Sequence, residues 1–175
     1  MSSSPLTTDN QDEIFDVVNE ADEVIGQVSR GIANSTPSLI HRSINVMVFQ
    51  GNTIFLHKRS ETKDTYANYW TCSCAGHVDS GEVADHAAVR ELSEELGLIA
   101  EEPLTLLFKE IVHYPHETEM MSFYRYDTIE EPVLDPKEIA EGLFVPLKDI
   151  EAFLMSQPKT PCLERAMKWI RENVT

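Results

Sequence analysis

The stretch GHVDSGEVADHAAVRELSEELGL, Gly76 to Leu98, sets Glu91, Glu94 and Glu95 beside a single Arg90. Like charges repel, so a helix that gathers three carboxylates needs something to offset them. At about 100° per residue, with Glu91 as zero, Glu94 falls near −60° and Glu95 near +40°. The three acids thus share one arc. Val89, Leu92 and Leu96 fall on another side and form a core-facing stripe. Ala84, Ala87 and Ala88 lie on or beside the acidic arc, where their small side chains let another backbone approach. Arg90 stands four residues before Glu94 and can pair with it across one turn. Gly76 and Gly81 bound a loop that enters the helix tightly, and Gly97 suits a left-handed helix cap. A solvated helix face mixes charges at i,i+4. Here one arginine serves three glutamates, and a loop carbonyl near three aimed carboxylates is oxygen chemistry for Mg²⁺ or Mn²⁺.

Around this stretch, helix and strand signals alternate. FDVVN and EVIGQVS, joined by EAD, read as a first hairpin. INVMVFQ and TIFLHKR flank Gly51-Asn52, a turn dipeptide, and read as a second. A short run at YWTCSCAGHV leads into the acidic segment; LTLLFKEIVHY, EMMSFYRYDTI and GLFVPL follow as strands. LKDIEAFLMS and CLERAMKWIREN close the chain as helices, the second introduced by Pro161. This order predicts an α/β fold with a mixed sheet and helices on its faces. Residues 1–11 read as a mobile tail and 12–175 as a single domain.

The net charge of −16 excludes non-specific nucleic-acid binding, which needs a cationic footprint. No apolar run is long enough to span a bilayer, and the start has no signal-peptide pattern, so a cytoplasmic protein is expected. Cys72, Cys74 and Cys162 lack a zinc-type pair. If Cys72-Ser-Cys74 is extended, both thiols lie on one face of a strand as a buried reduced pair.

The acidic segment matches the Nudix box, G-x5-E-x7-R-E-U-x-E-E-x-G-U with U aliphatic, through Gly76, Glu82, Arg90, Glu91, Leu92, Glu94, Glu95, Gly97 and Leu98. The chain thus resembles the Nudix hydrolase superfamily, and the strand order is similar to its α/β/α sandwich. The resemblance implies hydrolysis of an organic diphosphate with Mg²⁺, or Mn²⁺, held by the box. Glu91, Glu95 and the Gly76 carbonyl would be metal ligands. Glu94 would be a further ligand or the base, and Glu82 and Arg90 would support the cluster. The late segment DPKEIAEGLFVPL resembles one in which a glutamate approaches the metals, which makes Glu138 and Glu141 candidates.

A narrower likeness is to type I isopentenyl-diphosphate isomerase. His41, His77, Glu117 and Glu119 match its metal and acid residues, and Arg59 and Lys63 match cations that hold the diphosphate. Ala75, however, stands where that enzyme has its catalytic cysteine, Cys74 would point to the other face, and Asn34 replaces a second metal histidine. The full box favours a hydrolase of isomerase-like ancestry, with the isomerase and a non-catalytic nucleotide- or protein-binding module as alternatives. Plainer readings stay open: hydrogen-bonded histidines near the sheet for His41 and His77, and a solvated strand face for Glu117 and Glu119. Trp70 and Tyr69 read as packing residues rather than a base-stacking pair. The partner expected is a small-molecule organic diphosphate, with a homodimer through the first hairpin as an open alternative to a monomer.

Overall fold

A computed structural model describes residues 9–174. Its organising element is β3 (Ile40–Gln50), an apolar, β-branched strand buried along almost its whole length. Such a run belongs inside a sheet covered on both faces. One edge of β3 pairs in parallel with β8 (Thr118–Asp127) from Ile40 to Phe49. Its other edge is shared by three antiparallel neighbours. These are β1 (Ile14–Val18) at His41, β6 (Cys74–His77) from Ser43 to Val46, and β4 (Thr53–Arg59) at Phe49 and Gln50. The Gly51-Asn52 turn forms as expected, with Gly51 at φ +56°. The hairpin it joins lasts only two residue pairs, because β4 then turns away to pair with β9 (Ile139–Pro146). The remaining strands are β2 (Val24–Ser29), β5 (Trp70–Thr71) and β7 (Thr105–His113), at the margins of the sheet.

Alternation along β3 sorts the core into two layers. Ile44, Val46 and Val48 pack with α2 (Ala84–Leu96), while Met47 and Phe49 face the other side, with α3 (Ile150–Leu154) and α4 (Pro161–Asn173). This is the expected α/β/α sandwich with a mixed sheet. A short α1 (Arg30–Ala33), absent from the sequence reading, follows β2. LKDIEAFLMS divides into a 3-10 turn, Leu147–Asp149, and α3. Thr160 caps α4 by accepting the Leu163 N–H (3.4 Å), with Pro161 in the first turn. No helix among the described residues is long and apolar enough to cross a membrane.

Three expectations need correction or refinement. Cys72 and Cys74 do not share a face: the chain bends at Ser73, so Cys72 packs with the α4 layer and Cys74 with the α2 layer. In α2 the buried sector is centred closer to the acids than the stripe suggested. Ala87, Ala88, Leu92, Leu96 and Glu95 itself are buried, whereas Val89 is half-buried. Of the tail read over 1–11, residues 1–8 lie outside the described residues, while Asp9 and Gln11 hydrogen-bond to the domain.

Leu92 is fully buried between α2 and the sheet. Leu92→Ala is expected to lower the unfolding free energy by about 2–5 kcal/mol, the transfer loss plus a cavity. Urea denaturation reads this directly; a loss below about 1 kcal/mol would mean that α2 is not packed as described.

Candidate active site

The α2 face of the sheet comes close to its helix at Gly76, whose Cα partner on β3 is Ile44, a residue of the α2 layer. A Cβ built on Gly76 would lie 2.7 Å from Glu91 Cγ and collide with its Cδ and Oε1. Glycine is required here by proximity to a carboxylate, not by backbone conformation. Gly81 (φ +80°) and Gly97 (φ +62°) do hold left-handed conformations, at the loop entering α2 and at its C-cap.

The three box glutamates span a gradient from solvent to interior. Glu94 is 60% exposed in its side chain, Glu91 is half-buried, and Glu95 is 5% exposed. Burial, then the charges of Glu91 and Glu138, pushes the Glu95 carboxyl far above its ordinary value. Its hydrogen bond from the Ala75 N–H is long, at 3.4 Å. Burial also lifts Glu91 to about 7, against the pull of Arg90. Arg90 holds the cluster together, donating to both oxygens of Glu82 (3.1 and 2.9 Å), to Glu91 (2.7 Å), to Glu94 (3.3 Å) and to the His77 carbonyl (3.1 Å). Glu82 also accepts the Asp79 N–H (3.2 Å). All of these oxygens suit a hard divalent cation. A buried, under-partnered Glu95 beside a Gly76 backbone with no side chain is the cradle such an ion needs.

The opposite face of β3 gathers a second group. His41 pairs with Glu119 of β8, and Ser43 pairs with His77 of β6. Alternation then puts His41, His77, Glu117 and Glu119 together. Their ligand atoms all lie within 4.8 Å of one another, the one such group among the described residues. His41 Nε2 lies 3.9 Å from Glu117 and 3.8 Å from Glu119; His77 Nε2 lies 3.6 Å from Glu119. Ser43 Oγ donates to Glu119 (3.0 Å). Phe15 stacks on both imidazoles. Both ring nitrogens of His41 and Nε2 of His77 are buried without a hydrogen-bond partner. Burial and the neighbouring His77 lower His41 to about 4, leaving it neutral. Burial, then the charge of Glu119, raises Glu117 to about 8. Imidazole nitrogens without hydrogen-bond partners, beside two carboxyl groups, fit a borderline metal such as Zn²⁺.

Both groups border one open cavity of about 320 Å³. Glu91, Glu94, Glu95 and Glu138 are among its acidic lining, and Arg30, Arg59, Lys63 and Arg90 supply its cations. Arg59 also donates to the Thr65 carbonyl (3.1 Å), which holds the loop carrying Lys63. Lys63 bridges Glu138 (2.6 Å) and Asp9 (2.5 Å). Glu141 is exposed on β9, away from the cavity. Trp70 is buried against Phe153, as a packing role requires. Ala75 faces the cavity, whereas Cys74, one residue along, points into the α2 layer. Asp9, Arg30, Tyr66 and Tyr114 line the cavity although the sequence does not mark them as site residues, and so does Cys162, which the sequence marks only as lacking a zinc-type partner. Arg30 carried a usable signal: it is one of few cations in an acidic chain, as are Arg59 and Lys63.

The NUDIX domain model matches residues 39–169. The chain is 33% identical to an uncharacterized Nudix hydrolase of Rhodococcus erythropolis, over 86% of this chain and 87% of the relative. It is 31% identical to isopentenyl-diphosphate Delta-isomerase 2 of Photorhabdus laumondii, over 84% of this chain and 85% of the relative. A crystal structure from Deinococcus radiodurans shares the fold with a TM-score of 0.75 at 23% identity, covering 93% of this chain and all of that one. With that match over most of its length, and Gly76, Arg90, Glu91, Glu94 and Glu95 of its box lining a cavity, the chain belongs to the NUDIX domain family and stands among the Nudix hydrolases.

Proposed function

We propose that the protein is a Mg²⁺-dependent hydrolase that cleaves a phosphoanhydride bond in a nucleoside diphosphate-type or other organic diphosphate. One observation carries this reading: buried and half-buried glutamates of α2 line a single cavity together with Arg59 and Lys63. Glu91, Glu95 and the Gly76 carbonyl would hold the cation, with Mn²⁺ an acceptable substitute. When bound, the cation neutralises charge on the diphosphate oxygens. Arg59 and Lys63 orient the diphosphate, and Glu94, at the solvent end of the cluster, accepts a proton from the attacking water. Arg90 fixes the orientation of Glu91 and Glu94, while Glu138 sets the position of Lys63. The His41–His77–Glu117–Glu119 group is a second metal site under this reading. Its place on the opposite face of β3 gives it a part in holding the organic group rather than the scissile bond. A homodimer would use the exposed Val24 and Ile25 of β2.

The isomerase remains a second reading because the cavity does contain a thiol. Cys162, from the first turn of α4, lines it beside the hydroxyls of Thr71 (3.3 Å) and Thr160 (3.1 Å). Combined ³¹P and ¹H NMR with Mg²⁺ separates the two. The panel would hold nucleoside di- and triphosphates, nucleotide sugars and isopentenyl diphosphate. Growth of monophosphate resonances supports the hydrolase and names its substrate class. Intact diphosphate with new dimethylallyl methyl signals would overturn it.

A further inference from the structure

Asp9 lies before the first strand, yet its carboxylate is only 5% exposed. Lys63 Nζ reaches it at 2.5 Å, Arg30 at 3.2 Å and the Asp64 N–H at 3.0 Å. Two cations and a backbone donor converging on one anion is how proteins hold a phosphate oxygen group. Arg30 and Lys63, with Asp9 itself, line the same cavity as Glu91, Glu95 and Gly76. We propose that Asp9 is a built-in competitor: its carboxylate fills a phosphate subsite made by Arg30, Lys63 and the Asp64 N–H, and substrate must displace it. The inference rests on the reading of the cavity as a diphosphate site.

Burial opposes ionisation of Asp9, but the Lys63 hydrogen bond, the Asp64 N–H and the charges of Lys63 and Arg30 hold its carboxyl well below the usual range. It therefore stays an anion. Lys63 and Arg30 are themselves only 7% and 11% exposed in their side chains, and buried cations cannot be left unpaired cheaply. Arg30 keeps Glu13 (3.2 Å) and Asp64 (3.3 Å) when Asp9 leaves, so the departure strands no cation, and a phosphate entering in its place restores the charge pairing that Asp9 supplied. Beyond Asp9, the segment is held by Gln11, through its carbonyl to the Gly31 N–H (3.1 Å) and its amide to Asp64 (3.3 Å), and by Glu13, whose carbonyl accepts the Arg30 N–H (2.7 Å) and whose carboxylate accepts from the Arg30 guanidinium (3.2 Å). Lys63 keeps Glu138 as a partner when Asp9 leaves.

Calorimetry with methylenediphosphonate and Mg²⁺ tests this, because its P–C–P bridge resists hydrolysis. Asp9→Asn should bind the probe about tenfold more tightly than the parent, the factor for a competitor that holds the subsite roughly nine-tenths of the time. Asp12→Asn removes the same charge from an exposed site nearby and should change affinity less than about twofold, since exposed charges are screened. In the unaltered protein, saturating probe should speed amide exchange over residues 9–13. Equal or weaker binding by Asp9→Asn, an equal gain in Asp12→Asn, or exchange that does not speed up would each overturn the competitor. Absence of binding by parent and variant alike would sink the diphosphate reading itself, and the competitor with it.

Discussion

Glu95→Gln is expected to lower kcat/KM by on the order of 10³ or more, the scale for groups that act on charge or protons in the transition state. The same change should alter the unfolding free energy by no more than about 1–2 kcal/mol. The two numbers belong together. Glu95 is buried under β6 with a long hydrogen bond from Ala75, and Glu91 and Glu138 add like charge. An ionised carboxylate in that place costs stability. The amide keeps the volume and removes the charge, so folding loses little, whereas cation binding loses its most deeply buried ligand. Mg²⁺ should therefore raise Tm in the parent, by the linkage of ligand to the native state, and fail to do so in the variant. Turnover retained within a factor of about ten would show that Glu95 is a core residue and not a ligand.

That residue also shows what could be read in advance. Helical geometry put Glu91, Glu94 and Glu95 on one arc because the rotation per residue is fixed and local. The left-handed cap at Gly97 and the tight entry at Gly81 followed from the same local rules. What the helix alone cannot tell is how deep the arc sits. The depth is set by β6, whose Gly76 brings backbone against Glu91 and covers Glu95. Strand alternation likewise made Glu117 and Glu119 neighbours. Their meeting with His41 and His77 depends on a parallel register between β3 and β8 that no local pattern encodes.

The misreadings have the same origin. An extended strand would set Cys72 and Cys74 on one face, but a bend at Ser73 sends them to opposite layers. Cys162 and Tyr114 reach the cavity from α4 and from the turn after β7, through packing between distant segments. Asp9 reads as part of a tail in the sequence because short polar segments near a terminus usually are. Two buried cations reverse that tendency.

Gly76→Ala is expected to cost on the order of 10² or more in kcat/KM while the protein stays folded. The added methyl cannot share space with the Glu91 carboxyl group, since it would lie 2.7 Å from Cγ and closer still to Cδ and Oε1. The atoms in the way belong to the end of a flexible side chain, so Glu91 can swing aside while β6 keeps its pairing with β3 through Ile44. The stability loss should therefore be about 1–3 kcal/mol, the range for a small group forced into a packed site. Eviction breaks the 2.7 Å bond to Arg90 and takes a carboxylate from the acidic wall. The partition between the two losses is diagnostic, and thermal unfolding beside steady-state kinetics measures it. Full activity in a folded Gly76→Ala protein would mean that Glu91 does its work from elsewhere. A variant that unfolds outright would mean that β6 cannot yield at all, and that the contact between glycine and glutamate holds the fold as well as the site.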